Sequence, residues 1–212
     1  CKCLGNRQAH LLWFVMLSLE AVGFIAGALG IFFGLPQALR VRKLGHGHGV
    51  SLISWLLQYG VSISWATYGF AHKSPPVLLT NVSAASVTAS VILAIYRNNK
   101  KAIPVLIVIP ILLSTFILTL PTAVVSILLF AFVFAQSPQV IKSIKNISLG
   151  NDSAVSILAI SVSWASVLLW AVYGYMKQDI FFIVCSMGTF TVNSAIISLE
   201  LIGKRRRALQ TA

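Results

Sequence analysis

Gly-Leu-Pro-Gln-Ala-Leu-Arg at residues 34–40 and Gln-Ser-Pro-Gln-Val-Ile-Lys at residues 136–142 are two copies of one pattern. In each copy a Pro-Gln pair closes a long apolar run, and a cation follows three residues after the glutamine. A second motif, Trp-x-x-Tyr-Gly, also occurs twice, at residues 65–69 and 170–174. Two motifs that recur in the same order indicate an internal duplication.

The offset in residue number between the two copies changes along the chain. It is 102 residues at the Pro-Gln pair (36 to 138) and 105 residues from a Val-Ser pair onward (50 to 155), so the second copy has a loop three residues longer. Proline late in a helix removes a backbone hydrogen bond and kinks or ends the helix. The two Pro-Gln pairs are therefore predicted to mark breaks near helix ends.

The composition is that of a membrane protein. Hydrophobic residues make up 58% of the 212 residues and charged residues 9%, whereas a soluble globular chain carries about a quarter charged residues. The net charge of +12 would suggest a nucleic-acid partner in a soluble protein, but the cations of this chain lie in loops between apolar runs. We therefore expect no nucleic-acid binding, and we interpret the cations as a signal of membrane topology.

Seven apolar runs are long enough to cross a bilayer, which takes about 20 residues in a helix. The interval between Lys101 and Lys142 carries no charge and is long enough for two spans, with Leu120-Pro121-Thr122 as a turn near its middle. The predicted spans are 19–40, 50–70, 75–96, 102–120, 122–141, 154–175 and 180–202.

The distribution of cations gives an independent argument for seven spans. If seven helices alternate in direction, the side of the N-terminus receives four of the 16 Lys and Arg residues and the opposite side receives twelve. Cytoplasmic loops carry the excess of Lys and Arg. The chain is therefore predicted to be a multi-pass protein of the cell membrane, with its N-terminus outside and its C-terminus in the cytoplasm.

An odd number of spans also explains how the two copies are related. A unit of three spans reverses the direction of the chain, so one connecting helix restores a parallel orientation of two such units, a plan known in transporters. The predicted fold is an all-α integral membrane protein with seven transmembrane helices in a 3+1+3 order. Its parts are a first three-helix repeat at 19–98, a linker helix at 102–121 and a second three-helix repeat at 122–203.

The two Pro-Gln pairs, each followed by a basic loop, a Val-Ser helix start and a Trp-x-x-Tyr-Gly helix end, resemble the PQ-loop superfamily. Within it the chain is most similar to the SWEET (MtN3/saliva) sugar transporters and to the half-size bacterial SemiSWEETs. The resemblance covers residues 19–203. It implies facilitated, bidirectional diffusion of mono- or disaccharides by alternating access. It also implies a hinge role for Pro36, Gln37, Pro138 and Gln139.

The resemblance also implies a sugar pocket lined by a tryptophan and a later asparagine of each repeat. Trp65 is followed sixteen residues later by Asn81, which matches, and Trp170 is followed at the same spacing by Ser186, which matches in part. Ser62 lies one helical turn before Trp65 and is predicted to join the pocket. Two other interpretations remain open: an interhelical hydrogen bond for Asn81, and a place in an interfacial aromatic belt for the tryptophans.

The helices after the basic loops depart from the family pattern. Neither 50–70 nor 154–175 contains the proline that is usual there in plant and animal SWEETs. In this respect each copy resembles a SemiSWEET more closely.

Lys73 and Asp179 are predicted to form an outer gate. Lys73 lies eight residues after Trp65 and Asp179 nine residues after Trp170, and the two side chains have opposite charges. Pseudo-twofold symmetry would bring both turns to one level around one pathway. The resemblance gives charged residues at these positions a gating role, and solvated turn residues are the alternative interpretation.

No further chemistry is predicted. His46-Gly-His48 lacks additional metal ligands, and no Ser-His-Asp, paired-carboxylate or phosphate-loop arrangement has a site, so we expect no enzyme, no metal and no cofactor. Glu20 and Glu200 lie near helix ends and are expected to reach the lipid headgroups. The expected partners are a small sugar and the lipid bilayer, and a homo-oligomer is compatible with the sequence.

Two alternatives to sugar transport remain open. An amino-acid or proton-coupled carrier of the same superfamily would rely on buried acids, and the chain contains only four acidic residues. A membrane receptor of the same fold would bind its ligand without transporting it. Measurement of solute flux into liposomes distinguishes a carrier from a receptor.

Overall fold

The described part of the chain consists of helices joined by short turns. A computed structural model describes residues 18–32, 35, 39, 43, 52–96, 99–136, 140–141, 143–145, 147 and 157–210, and no strand occurs in these ranges. The helices are α1 (Ser18–Phe32), α2 (Leu52–Ala71), α3 (Pro75–Tyr96), α4 (Asn99–Thr119), α5 (Thr122–Ala131, continued by a 3₁₀ turn at Phe132–Gln136), α6 (Ile157–Met176) and α7 (Ile180–Gln210). The predicted all-α class is confirmed.

The helices follow the predicted spans closely. α3 has the predicted bounds, and α2, α4 and α6 differ from theirs by at most three residues at either end. The turn predicted near Pro121 separates α4 from α5, and Pro121 precedes α5 with φ −55° and ψ 140°. Pro104 and Pro110 lie inside α4, and the helix continues through both.

The last helix is longer than predicted. The apolar run predicts an end at residue 202, but α7 continues to Gln210 and has 31 residues. At 1.5 Å per residue its length is about 46 Å, against about 30 Å for the core of a bilayer. Lys204, Arg205 and Arg206 are exposed on the additional turns, which remain helical because Lys and Arg are good helix formers.

Several helices have the length and apolar composition needed to cross a membrane. Pro75–Tyr96, Lys100–Thr119 and Ile180–Arg206 satisfy both criteria. Shorter apolar helices occupy Ser18–Phe32, Thr122–Phe134 and Ile160–Met176. Large apolar side chains such as Ile107, Ile111 and Leu112 on α4 are exposed. An extended exposed apolar surface is typical of a protein that contacts lipid.

The packing joins the two copies of the motif. α2 packs along α3 and against α4, whereas α6 packs along α7. α1 bonds to the second copy, since Ser166 Oγ donates to Ala26 O at 2.7 Å. One buried cluster contains side chains from both copies: Tyr68, Val77, Ile117, Val125, Leu129, Tyr173 and Phe182. The division into repeats at 19–98, 102–121 and 122–203 stays a prediction.

Candidate functional site

Each Trp-x-x-Tyr-Gly motif ends its helix in the same kind of turn. Lys73 and Gln178 have positive φ angles of 49° and 57°, the left-handed conformation that commonly ends a helix. The N–H of the next residue bonds to the carbonyl of the glycine in the motif: Ser74 N to Gly69 O at 2.8 Å, and Asp179 N to Gly174 O at 3.0 Å. We call residues 72–74 and 177–179 the paired turns.

The glycine of each motif is explained by close packing at its turn. A Cβ atom on Gly69 would lie 2.6 Å from the backbone nitrogen of Leu78, and one on Gly174 would lie 3.0 Å from Cδ1 of Phe182. The first distance is shorter than any ordinary contact. A side chain at Gly69 would therefore push α3 away from α2, and one at Gly174 would crowd the ring of Phe182.

The residue after each left-handed position begins the next helix as its N-cap. Asp179 Oδ1 accepts a hydrogen bond from Phe182 N at 2.9 Å, the usual bond between an N-cap side chain and the third residue of the helix. Ser74 instead precedes Pro75 and Pro76, which have no N–H to donate. The first turn of α3 therefore has fewer backbone N–H groups for its N-cap side chain to bond than the first turn of α7 has.

Each tyrosine of the repeated motif bonds to the N-cap residue of the other copy. Tyr68 OH donates to Asp179 Oδ2 at 2.5 Å, and Tyr173 OH lies 2.7 Å from Ser74 Oγ. The two pairs are equivalent, because the 105-residue offset relates Tyr68 to Tyr173 and Ser74 to Asp179. We call these two hydrogen bonds the latch. The bond to Asp179 is the stronger of the two, because its acceptor is charged.

The two tryptophans predicted for the pocket lie beside the latch and share one neighbour. The ring centroid of Phe182 is 5.2 Å from that of Trp65 and 5.6 Å from that of Trp170, in edge-to-face arrangements. Trp65 also contacts Tyr68 at 5.5 Å, and Trp170 contacts Tyr173 at 5.6 Å. The structure therefore brings both tryptophans into one aromatic cluster, through a phenylalanine that the sequence analysis does not single out.

The polar residues predicted for the pocket lie on three different helices. Asn81 is half-buried, and its Nδ2 donates to Val77 O, one turn earlier in α3, at 2.8 Å. Ser186 in α7 and Ser62 in α2 are both buried. The hydrogen bond that the structure assigns to Asn81 thus lies within its own helix. The role of these three residues in binding a solute stays a prediction.

Lys73 and Asp179, the predicted outer gate, occupy positions that are not equivalent. The equivalent of Lys73 is Gln178, the other left-handed residue, and the equivalent of Asp179 is Ser74. The side chain of Lys73 is exposed, while both carboxylate oxygens of Asp179 accept the hydrogen bonds described above. Within the described ranges no ion pair joins Lys73 to Asp179. Their gating role stays a prediction.

Two acids expected at the lipid headgroups bond to protein groups instead. Glu20 Oε1 is 3.2 Å from Lys177 Nζ, which also lies 5.8 Å from the centroid of the Tyr173 ring. Glu200 is only 6% exposed and accepts a hydrogen bond from Ser143 Oγ at 2.6 Å. The expectation was wrong for Glu200 because α7 continues to Gln210, so Glu200 lies ten residues before the end of the helix and its carboxylate bonds to Ser143.

A cavity of about 390 Å³ lies between the paired turns. Residues of both copies line it: Tyr68, His72, Ser74, Val77, Tyr173, Gly174, Lys177, Gln178, Asp179, Ile180 and Phe182. Both bonds of the latch therefore border the same open space. The aromatic cluster begins at the inner side of that space, since Phe182 and Val77 lie one turn into α7 and α3.

Some residues of the latch were detectable in the sequence and others were not. Tyr68 and Tyr173 belong to the repeated motif, and the 105-residue offset identifies Ser74 as the equivalent of Asp179. No repeat signal identifies Phe182, because the equivalent residue is a valine. The predicted hinge residues lie outside the described residues: Pro36, Gln37, Pro138 and Gln139.

Comparisons with known proteins match this architecture. The chain is 32% identical over 66 residues to the sugar transporter SemiSWEET of Vibrio sp. (strain N418), a match that covers 30% of this chain and 68% of that protein. The fold matches a solved structure of a eukaryotic SWEET transporter with a TM-score of 0.70 and 13% identity, over 88% of this chain and 99% of that chain. No family model matches the chain. With its apolar helices and paired Pro-Gln motifs, this chain is a membrane protein and belongs to the SWEET and SemiSWEET family of the PQ-loop superfamily.

Proposed function

We propose that the chain carries small sugars, mono- or disaccharides, across the cell membrane by facilitated, bidirectional diffusion. Both relatives are named as transporters, and the bacterial one as a sugar transporter. The observation that carries the proposal is the latch, since two hydrogen bonds join the copies directly beside the paired tryptophans. Alternating access needs such a closure on one side of the substrate, made of bonds weak enough to break in each cycle.

The proposed sugar pocket consists of Trp65, Trp170, Asn81, Ser186 and Ser62. The tryptophans are six residues from the ends of α2 and α6, or about 9 Å at 1.5 Å per residue. Aromatic rings bind the apolar faces of a sugar, while an amide and serine hydroxyls bond to its hydroxyl groups. A pocket at this depth lies between the latch and the middle of the bilayer.

The strength of the latch suits a gate. A neutral hydrogen bond such as Tyr173–Ser74 contributes about 0.5–1.5 kcal/mol, and a bond to a charged group such as Tyr68–Asp179 about 1.5–3 kcal/mol. Two conformations are both populated when their free energies differ by a few kcal/mol. Lys73 is proposed to pair with Asp179 when the outer gate closes, as an exposed ion pair of about 0–1 kcal/mol.

The proposed orientation follows from the positions of the cations. The cytoplasmic side would receive the C-terminal end of α7 with its exposed Lys204, Arg205 and Arg206, because cytoplasmic segments are rich in Lys and Arg. The paired turns and the latch then face outside, together with the N-terminus. The Pro-Gln pairs at 36–37 and 138–139 would lie on the cytoplasmic side and act as hinges.

Counterflow of radiolabelled glucose and sucrose into liposomes that contain the purified chain tests the proposal. We expect labelled sugar to exchange for unlabelled sugar in either direction without net accumulation of sugar against its gradient, and the rate to be unchanged by an imposed pH gradient, because the proposed carrier is uncoupled. Proton-driven accumulation would instead indicate a coupled carrier. Sugar binding without flux would indicate a receptor.

Asn81→Ala and Ser83→Ala form a matched pair that tests the pocket. Both side chains lie on α3 and donate to the carbonyl four residues earlier at 2.8 Å, but Ser83 is exposed. Loss of a hydrogen bond to the sugar should reduce the Asn81→Ala flux at least about tenfold, and Ser83→Ala should stay within about twofold of wild type. Trp170→Ala is expected to abolish flux without loss of expression. Normal flux in Asn81→Ala and Trp170→Ala would remove this site from consideration.

A further inference from the structure

Phe182 is the ring, within the described part of the chain, that contacts both pocket tryptophans. Its centroid is 5.2 Å from that of Trp65 and 5.6 Å from that of Trp170. It also lies 6.4 Å from Tyr68 and 6.1 Å from Tyr173, so all four aromatic residues of the repeated motif surround it. The ring is 7% exposed. Phe182 therefore occupies the centre of the interface between the two copies.

Phe182 lies between the latch and the proposed sugar pocket. Ser186 is one helical turn further along the same face of α7. In the other direction, Asp179 bonds to the backbone N–H of Phe182 with one carboxylate oxygen and to Tyr68 with the other. A sugar that passes from the cavity between the paired turns to the tryptophans must therefore pass this ring. Opening of the latch frees the Asp179 carboxylate from Tyr68, and the same carboxylate caps the first turn of α7.

The residue equivalent to Phe182 in the first copy is Val77. Val77 is 2% exposed and belongs to the same buried cluster. Two phenylalanines related by the pseudo-twofold axis would compete for one space, because protein interiors are close-packed. One copy therefore supplies a large ring and the other a small side chain. The width of the path at this level is set mainly by one residue.

We propose that Phe182 determines the size of the sugar that the chain accepts, and that its ring favours a monosaccharide over a disaccharide. This inference rests on the proposed sugar transport. Apolar pockets discriminate between substrates by volume, and one methylene group more or less changes the relative rates by roughly 10–200-fold. Removal of a whole ring at this level should have an effect within this range.

Phe182→Val, which copies the residue of the other repeat, is the test variant. Initial counterflow rates of radiolabelled glucose and sucrose are measured in liposomes with the purified chain, and their ratio is compared with wild type. We expect the sucrose-to-glucose ratio to rise at least about tenfold. Adding Val77→Phe to this variant moves the ring to the other copy, and it should return the ratio to within about threefold of wild type.

Phe181→Val is the matched control. Phe181 is the preceding residue and stacks on Trp65 at 6.5 Å, but among the described residues no ring contact joins it to Trp170. The Phe181 ring also lies 6.0 Å from that of Tyr68, so its replacement removes a ring of the same size that faces the first copy but leaves the contact between Phe182 and Trp170 in place. The sucrose-to-glucose ratio of Phe181→Val should equal that of wild type.

Three results would overturn the inference. If Phe182→Val slows both sugars equally, or if Phe181→Val raises the ratio as much, Phe182 is a packing residue without a role in selection. If the wild-type chain moves neither sugar, the proposed function fails and the inference fails with it. If the wild-type chain is active but Phe182→Val leaves the sucrose-to-glucose ratio unchanged, the inference alone fails. Should Phe182→Val not fold, Phe182→Leu keeps more of the volume and should raise the ratio about threefold.

Discussion

The two paired turns have the same backbone and different side chains. Lys73 and Gln178 share the left-handed conformation, and the hydrogen bonds of Ser74 N and Asp179 N have the same pattern. In contrast, the group that bonds to the latch tyrosine is a carboxylate in one copy and a hydroxyl in the other. The residue three positions after Asp179 is Phe182, and the residue three positions after Ser74 is Val77.

This difference shows which features of the turn are constrained. The motif glycine lets the next helix approach closely, and a left-handed residue commonly ends a helix at such a turn. The residue that bonds to the tyrosine is less constrained: Asp179 has one oxygen for the N-cap bond and one for Tyr68, whereas Ser74 precedes two prolines and its Oγ bonds to Tyr173. The latch has therefore one strong and one weak half. The predictions below test that asymmetry.

Asp179→Ala should have the largest effect on stability. It removes a bond to a charged group, about 1.5–3 kcal/mol, and an N-cap, about 1 kcal/mol. Ser74→Ala removes only a neutral bond, about 0.5–1.5 kcal/mol. Thermal unfolding in detergent should give a Tm for Asp179→Ala several degrees below that of Ser74→Ala. Asp179→Asn, which keeps an N-cap, should fall between them. Equal Tm values for the two alanine variants would contradict the asymmetry.

Ser74→Asp should make the two halves of the latch alike. A carboxylate at residue 74 would accept a charge-assisted bond from Tyr173 and stabilise the closed latch by about 1 kcal/mol more than serine does. Counterflow should slow about fivefold, because opening the latch becomes harder. The control is Ser74→Asp combined with Tyr173→Phe, which lacks the donor and should not gain this stabilisation. An unchanged rate in Ser74→Asp alone would show that opening of the latch does not limit transport.

Lys73→Glu tests whether Lys73 takes part in the gate. If Lys73 pairs with Asp179 when the outer gate closes, reversal of its charge costs about 1 kcal/mol and slows counterflow about fivefold. Gln178→Glu places the same charge at the equivalent position of the other turn and should change the rate less than twofold. The double variant Lys73→Asp with Asp179→Lys should recover part of the flux. Equal effects of Lys73→Glu and Gln178→Glu would leave Lys73 as an ordinary turn residue.

Lys73→Gly and Gln178→Gly should have the smallest effect, and the same effect. The left-handed conformation costs a non-glycine residue about 1 kcal/mol, and the greater freedom of glycine in the unfolded chain offsets part of that gain. A net stabilisation of about 0.5 kcal/mol is expected in each variant. It is measured as a small rise in Tm. A rise in only one variant would show that the two turns differ in strain despite their similar φ angles.

Much of the fold could be predicted because its signals are local in the chain. Apolar runs, the turn at Pro121 and the tight turns after the two Trp-x-x-Tyr-Gly motifs all depend on neighbouring residues, and the helices follow them closely. The end of α7 could not be placed by the apolar run, because charged residues such as Lys204 continue a helix without continuing the hydrophobic pattern.

The candidate site could be predicted only in part. Spacing places Trp65 and Trp170 at one depth, and the structure brings both to Phe182. Spacing alone pairs Lys73 with Asp179, whereas Asp179 bonds to Tyr68 in the structure. Residues at the same depth near a turn are candidates to contact one another, but depth alone does not show which of them form a hydrogen bond. That choice depends on the directions in which side chains leave neighbouring helices.

The sequence by itself determined the duplication, the helical membrane class and the equivalence of residues 105 positions apart. These follow from periodicity and hydrophobicity, which are properties of the chain and its solvent. Only the tertiary structure decided the partners of the latch, whose residues are 111 and 99 positions apart, and the central place of Phe182. Such contacts depend on how closely helices from the two copies approach, and no local pattern encodes that distance.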